Sequence, residues 1–92
     1  MEIVYIGAAW CSTCKVIKPK TLELGKLYGV TVRELDYDTD LTDEEKEQIT
    51  KVPTLRIVRN DVIEASWNVN QVAQLTAWLQ MNVDLKTADA DF

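Results

Sequence analysis

Two cysteines stand three residues apart in Cys11-Ser12-Thr13-Cys14, and the chain contains no other cysteine and no histidine. Two thiols are too few to scaffold a disulfide-rich fold. Without imidazole they also cannot fill a four-ligand zinc site within one chain, so no metal site is expected. What remains is a redox pair. On spacing alone, an inert disulfide or a pair of small apolar residues stays open beside it.

Position decides what such a pair can do. An amphipathic stripe begins at the motif: Cys14, Ile17, Thr21, Leu24 and Tyr28 recur at helical steps, with Lys15, Lys18 and Lys26 off the stripe. Cys11 then falls at or near the N-cap, and Cys14 about one turn along. Those places bring the Cα atoms to about 5–6 Å, which suits a disulfide. A helix N-terminus carries about half a positive charge and unpaired amides. A thiolate at Cys11 can accept from the amides of Thr13 and Cys14, so its pKa should fall, with Lys15 and Lys18 adding a weaker, screened effect. Cys14, inside the turn, should be buried and protonated. Cys11 attacks and Cys14 resolves.

The elements that must position this pair follow from the chain's periodicity. Glu2 to Ile6 is a β-branched and aromatic run, expected as a strand buried on both faces. Gly7 to Trp10 makes a loop. Pro19 lies inside the helix and should kink it, and Gly29 should stop it. Val30 to Leu35 reads as a second strand and Asp36 to Asp40 as a polar loop. Thr42-Asp43-Glu44-Glu45 is a capping box that opens a short helix ending near Thr50. Thr54 to Val58 and Val62 to Trp67 flank a tight hairpin at Arg59-Asn60-Asp61. Val72, Leu75, Leu79 and Val83 mark a last helix, capped by Asn68 or Asn70. The order β-α-β-α-β-β-α implies an α/β fold. Its first two strands are parallel with a right-handed crossover, and the hairpin completes a four-stranded mixed sheet with helices on both faces, in three layers.

Ninety-two residues make one domain, expected over 1–83, with 84–92 as a frayed acidic tail. The net charge of −5 argues against general nucleic-acid binding. Its distribution is uneven: residues 1–33 sum to +3, residues 34–47 to −7 and residues 48–92 to −1. The acidic block reads as a solvated loop and helix start, or as a tag that repels or steers partners. No apolar run approaches the roughly 18 residues needed to cross a bilayer. The start Met1-Glu2-Ile3-Val4-Tyr5 has no basic or long apolar leader, so a cytoplasmic protein is expected.

The segment Ala9-Trp10-Cys11-Ser12-Thr13-Cys14-Lys15, with Pro19 behind it, resembles the active-site segment and helix-kinking proline of the thioredoxin family. Val52-Pro53-Thr54 resembles that family's cis-proline turn. The likeness runs from residue 2 to about 83, in a shorter, glutaredoxin-like layout without a leading strand and helix. It implies a thioredoxin-like three-layer sandwich. It also implies that the Val52 backbone, beside a cis Pro53 and Thr54, can pair with a substrate chain. Trp67 is either a packed residue or, with Trp10 and Pro53, part of an apolar platform for protein partners.

The sequence departs from that family in two places. Ser12-Thr13 is neither the thioredoxin nor the glutaredoxin dipeptide. Tyr5 and Glu34 stand where the family has a buried aspartate and a lysine. They are either a core tyrosine and a solvated charge, or a replacement pair with Glu34 as base through Tyr5 or a water. The Trp67-Asn68-Val69-Asn70 stretch lacks the Gly-Gly turn that binds glutathione.

The expected function is thiol–disulfide exchange on protein disulfides by a monomer. A thioredoxin-reductase-type enzyme or another dithiol would restore the thiols, and no cofactor would be bound by this chain. A cysteine-bridged metal or iron–sulfur module and a non-catalytic interaction domain are the alternatives.

Overall fold

The computed structural model describes residues 1–68 and 71–83. Its elements are β1 (Glu2–Gly7), α1 (Ser12–Tyr28), β2 (Thr31–Asp36), α2 (Asp43–Gln48), β3 (Thr54–Arg59), β4 (Val62–Trp67) and α3 (Gln71–Asn82). The sheet order is β2-β1-β3-β4. β1 runs parallel to β2 and antiparallel to β3, and β3 is antiparallel to β4. The mixed four-stranded α/β architecture matches the sequence reading. The expected tail over 84–92 and the possible cap at Asn70 lie outside the described residues.

β1 sits at the centre of the sheet, and its residues from Ile3 to Gly7 are buried or nearly so because both faces are covered. Successive side chains point to opposite faces. Ile3 and Tyr5 join Leu55, Ile57, Leu75 and Leu79 in the larger cluster, under α1 and α3. Val4 and Ile6 face the other way, against Ile49. The third layer is thinner than expected. α2 buries none of its six residues, and the covering is done by Leu41 before it and Ile49 after it. The reason is composition: Asp-Glu-Glu-Lys-Glu-Gln has no apolar side chain to bury, so its flanks must do so.

Local chemistry explains the boundaries. Gly29 ends α1 in the left-handed region, φ 67°, which glycine adopts without steric cost. The Val30 amide donates to Gly25 O at 2.8 Å to close the cap. Val30 is therefore occupied by the helix end, and β2 starts at Thr31 rather than at Val30. The Thr42 capping box forms reciprocally: the Glu45 amide donates to Thr42 Oγ1 at 3.2 Å and the Thr42 amide to Glu45 Oε1 at 2.9 Å. Asn60 and Asp61 both take positive φ, 52° and 65°, as a two-residue type I′ hairpin requires. The β3–β4 ladder shifts register between Ile57 and Val58, leaving Glu64 as the extra residue. Its carboxylate pairs with Arg59 Nε at 2.9 Å. α1 continues through Pro19 as one helix. Among the described residues no helix is long and apolar enough to cross a membrane.

Candidate active site

β1 ends at Gly7, the chain turns through Ala8 to Trp10, and α1 starts at Ser12. The Cys11 amide donates to Ala8 O at 3.2 Å, which closes that turn. Cys11 is the N-cap, with extended backbone at φ −95° and ψ 111°. Its Sγ accepts from the Cys14 amide at 3.2 Å, one of the two donors expected. The first turn of α1 carries no acidic residue to offset its positive end. Cys11 and Cys14 are joined as a disulfide, with Cα atoms 5.3 Å apart. Both residues are buried, Cys11 at 7% and Cys14 at 3% exposure, a smaller contrast than the sequence suggested.

The segment before β3 lies alongside. The Val52–Pro53 peptide is cis, and Val52 O lies 3.7 Å from Cys11 Sγ. Val52 is half-buried, and Pro53 and Thr54 are buried. Three side chains hold this shelf. Thr54 Oγ1 donates to Lys51 O at 2.6 Å, Gln71 Nε2 donates to Pro53 O at 2.6 Å, and Asn68 Nδ2 donates to Thr50 Oγ1 at 2.8 Å.

Trp10 is 67% exposed, and its indole N–H donates to Asp38 Oδ2 at 2.7 Å. Asp38 belongs to a tightly bonded turn: Asp36 Oδ1 accepts from the Asp38 amide at 2.8 Å, and Asp40 Oδ2 accepts from the Asp36 amide at 2.8 Å. Part of the acidic block thus fixes the ring beside Cys11. Trp67 is half-buried and packs with the larger cluster, so of the aromatic pair it is Trp10 that presents itself to solvent.

Behind Cys14 opens a cleft of 340 Å³ lined by Tyr5, Gly7, Lys15, Lys18, Glu34, Asp36 and Asp40 among others. The Tyr5 ring leans along β1 toward Gly7, where an added Cβ would meet Tyr5 Cζ at 2.7 Å. Any larger residue at Gly7 would therefore push the Tyr5 ring aside. The Tyr5 hydroxyl donates to Cys14 O at 3.3 Å, and burial raises its pKa, offset in part by Lys18 and reinforced by Glu34. Glu34, the register neighbour of Tyr5 on β2, bonds Lys18 Nζ at 2.8 Å. That carboxylate raises the Lys18 pKa.

Tyr5 and Glu34 each bond to α1, the hydroxyl to the Cys14 carbonyl and the carboxylate to Lys18. Lys15 and Lys18 line the cleft that Cys14 also lines. Gln71 and Asp38 were missed altogether. Gln71 had a visible signal, a polar residue four before Leu75 on the buried stripe of α3. Among the described residues no group of three or more His, Cys, Asp or Glu could hold a metal ion.

The family model described as thioredoxin matches residues 1–81. Thioredoxin 2 of Plasmodium berghei (strain Anka) is 35% identical over 65 residues, which cover 68% of this chain and 41% of that protein. The chain thus spans about two-fifths of the length of this relative. Among solved structures, thioredoxin O2 of Arabidopsis thaliana in its oxidized state superposes with a TM-score of 0.74 at 30% identity, covering 90% of this chain and 75% of that one. Thioredoxin O1 of the same plant gives 0.73 at 30%, covering 87% and 75%. Thioredoxin 1 of Thermosipho africanus, at 20% identity, shares the fold with a TM-score of 0.72 and coverage of 88% and 97%.

Proposed function

The chain belongs to the thioredoxin family, and from that premise we propose that it is a thiol–disulfide oxidoreductase, a reducing dithiol carrier for protein disulfides. The observation that carries this reading is the placement of Cys11 Sγ at the N-cap of α1, accepting the Cys14 amide. In the reduced chain the same amide and the unopposed helix end stabilise negative charge on that sulfur.

The Cys11 thiolate attacks one sulfur of a substrate disulfide. A Cys11–substrate bond forms as the substrate S–S bond breaks, and one substrate thiolate leaves. Cys14 loses its proton and attacks Cys11 Sγ. The Cys11–Cys14 bond forms, and the second substrate thiolate departs. Two electrons pass to the substrate. Val52, with its carbonyl 3.7 Å from Cys11 Sγ, offers its backbone to an extended substrate segment. Pro53 and Thr54 keep that backbone in place, and Trp10 supplies an apolar rim. A thioredoxin-reductase-type enzyme or another dithiol restores the thiols, and the cytoplasm is the compartment that suits such a cycle.

Alkylation of the reduced chain with iodoacetamide between pH 5 and 9 tests the reading. Cys11 should titrate clearly below the value of about 8.5 for a free thiol. A rate profile matching that of an unstructured peptide thiol overturns the proposal.

A further inference from the structure

α1 carries more apolar surface than the core takes up. Cys14, Ile17, Leu24 and Tyr28 pack into the larger cluster, whereas Leu27 lies off that stripe and is 38% exposed. With the half-buried Leu24, and with the half-buried Val72 in the first turn of α3, Leu27 lines a groove of 560 Å³ between the two helices. That volume falls within the range of about 300–1,000 Å³ in which proteins hold ligands. Lys20, Glu23 and Lys26 line it as well, and all three are exposed. The ion pairs among the described residues are Lys18–Glu34, Arg33–Glu2 and Arg59–Glu64. Both groove lysines are therefore left without a carboxylate partner, and Glu23 between them bridges to neither.

The whole chain carries a net charge of −5, so its long-range field repels a polyanion. Two unpaired ammonium groups beside an apolar floor suit instead a short segment with a few carboxylates and an apolar face. Leu24 and Leu27 stand at helical i, i+3 spacing, and the floor they make with Val72 runs between two helices, the setting in which a third amphipathic helix packs. Lys20 and Lys26 lie about 9 Å apart along the α1 axis, close to the two-turn separation of carboxylates on a facing helix. The groove sits far along α1 from Cys11, about 20 Å at the helical rise of about 1.5 Å per residue.

We propose that this groove is a docking site for an acidic amphipathic helix of a partner protein, separate from the disulfide-exchange site. Leu24, Leu27 and Val72 take the apolar side chains of that helix, and Lys20 and Lys26 pair with its carboxylates. A partner held there leaves Cys11, Trp10 and the Val52 backbone uncovered, so docking and exchange can proceed together. The inference does not depend on the oxidoreductase reading.

The probe is a designed helical peptide of about 15 residues, with leucines at i, i+3 and i+7 and glutamates two turns apart on its flank. A twin carries lysines in place of the glutamates. Titrated into the isotope-labelled chain, the acidic peptide should shift the backbone amides of Leu24, Leu27 and Val72 and leave those of Trp10 and Cys11 in place. Leu27→Glu should weaken binding about tenfold or more. Lys26→Glu, an exposed change that keeps the fold, should weaken it about threefold or more, and raised salt should act in the same direction. Alkylation of reduced Cys11 should stay within about twofold of its rate without peptide. Equal binding of the lysine twin overturns the inference, as do shifts centred on Trp10 and Val52, or no shift at about 1 mM peptide. Self-association in sedimentation velocity that Leu27→Glu abolishes assigns the groove to a second copy and overturns it too. So does displacement of the acidic peptide by phosphatidylserine-containing vesicles, which marks a lipid surface.

Discussion

Cys11 and Cys14 are the same residue type on the same turn, yet the chain gives them different neighbourhoods. Cys11 meets a helix N-terminus and a shelf of backbone, Val52 O among it, whose positions are set by Gln71, Thr54 and Asn68. Cys14 backs onto a polar cleft with Tyr5, Lys18 and Glu34. One side is built of peptide groups that cannot titrate, and the other of side chains that can. Overall burial hardly separates the two residues, so the difference between them lies in what surrounds each one.

Removing a sulfur breaks the comparison most severely. Cys11→Ser should abolish mixed-disulfide formation, a loss of at least about 10³-fold in disulfide reduction, because a serine hydroxyl is not ionised at neutral pH. Cys14→Ser should keep the first attack and stop turnover, so that substrate accumulates covalently on Cys11 and is visible by intact mass. If both variants behave alike, the assignment of roles is wrong.

Smaller changes test each neighbourhood separately. Gln71→Leu strips the buried Pro53 carbonyl of its donor and should cost about 1–3 kcal/mol in urea unfolding. It should weaken reduction of protein disulfides while leaving Cys14 resolution of a small aromatic disulfide near wild type. Tyr5→Phe removes one bond, worth about 0.5–1.5 kcal/mol, and its effect should fall on the second step.

Tyr5 also carries a pH signature. Its folded pKa is raised above 10.0, so the unfolded chain loses the phenolic proton first as pH climbs. Wild-type stability should therefore be level in this respect below pH 10 and decline from there up to the folded value. Tyr5→Phe should flatten that alkaline decline in urea titrations.

Much of this was legible where local pattern and covalent chemistry coincide. The doubly buried β1 run, the N-cap placement of the Cys pair, the Thr42 capping box and the hairpin at Asn60-Asp61 each depend on residues close in sequence. The polar network was less readable because its bonds join distant segments. Trp10 to Asp38 spans 28 residues and Gln71 to Pro53 spans 18, and no periodicity encodes either. Tyr5 and Glu34 were singled out with two readings open, a core tyrosine with a solvated charge or a pair, since register alone does not show that α1 offers them the Cys14 carbonyl and Lys18. The sparse covering by α2 was readable in principle: six polar residues cannot form an apolar layer.

The bulge at Glu64 has a consequence at the far rim. β4 is an outermost strand, with Val62 and Ile63 open to solvent. A straight, apolar rim of that kind would invite another chain to add itself as a fifth strand. The displaced register and the Arg59–Glu64 charges interrupt the ladder where such an addition would begin. In an edge strand, such a break in register and a charged pair are features that oppose the addition of a further strand.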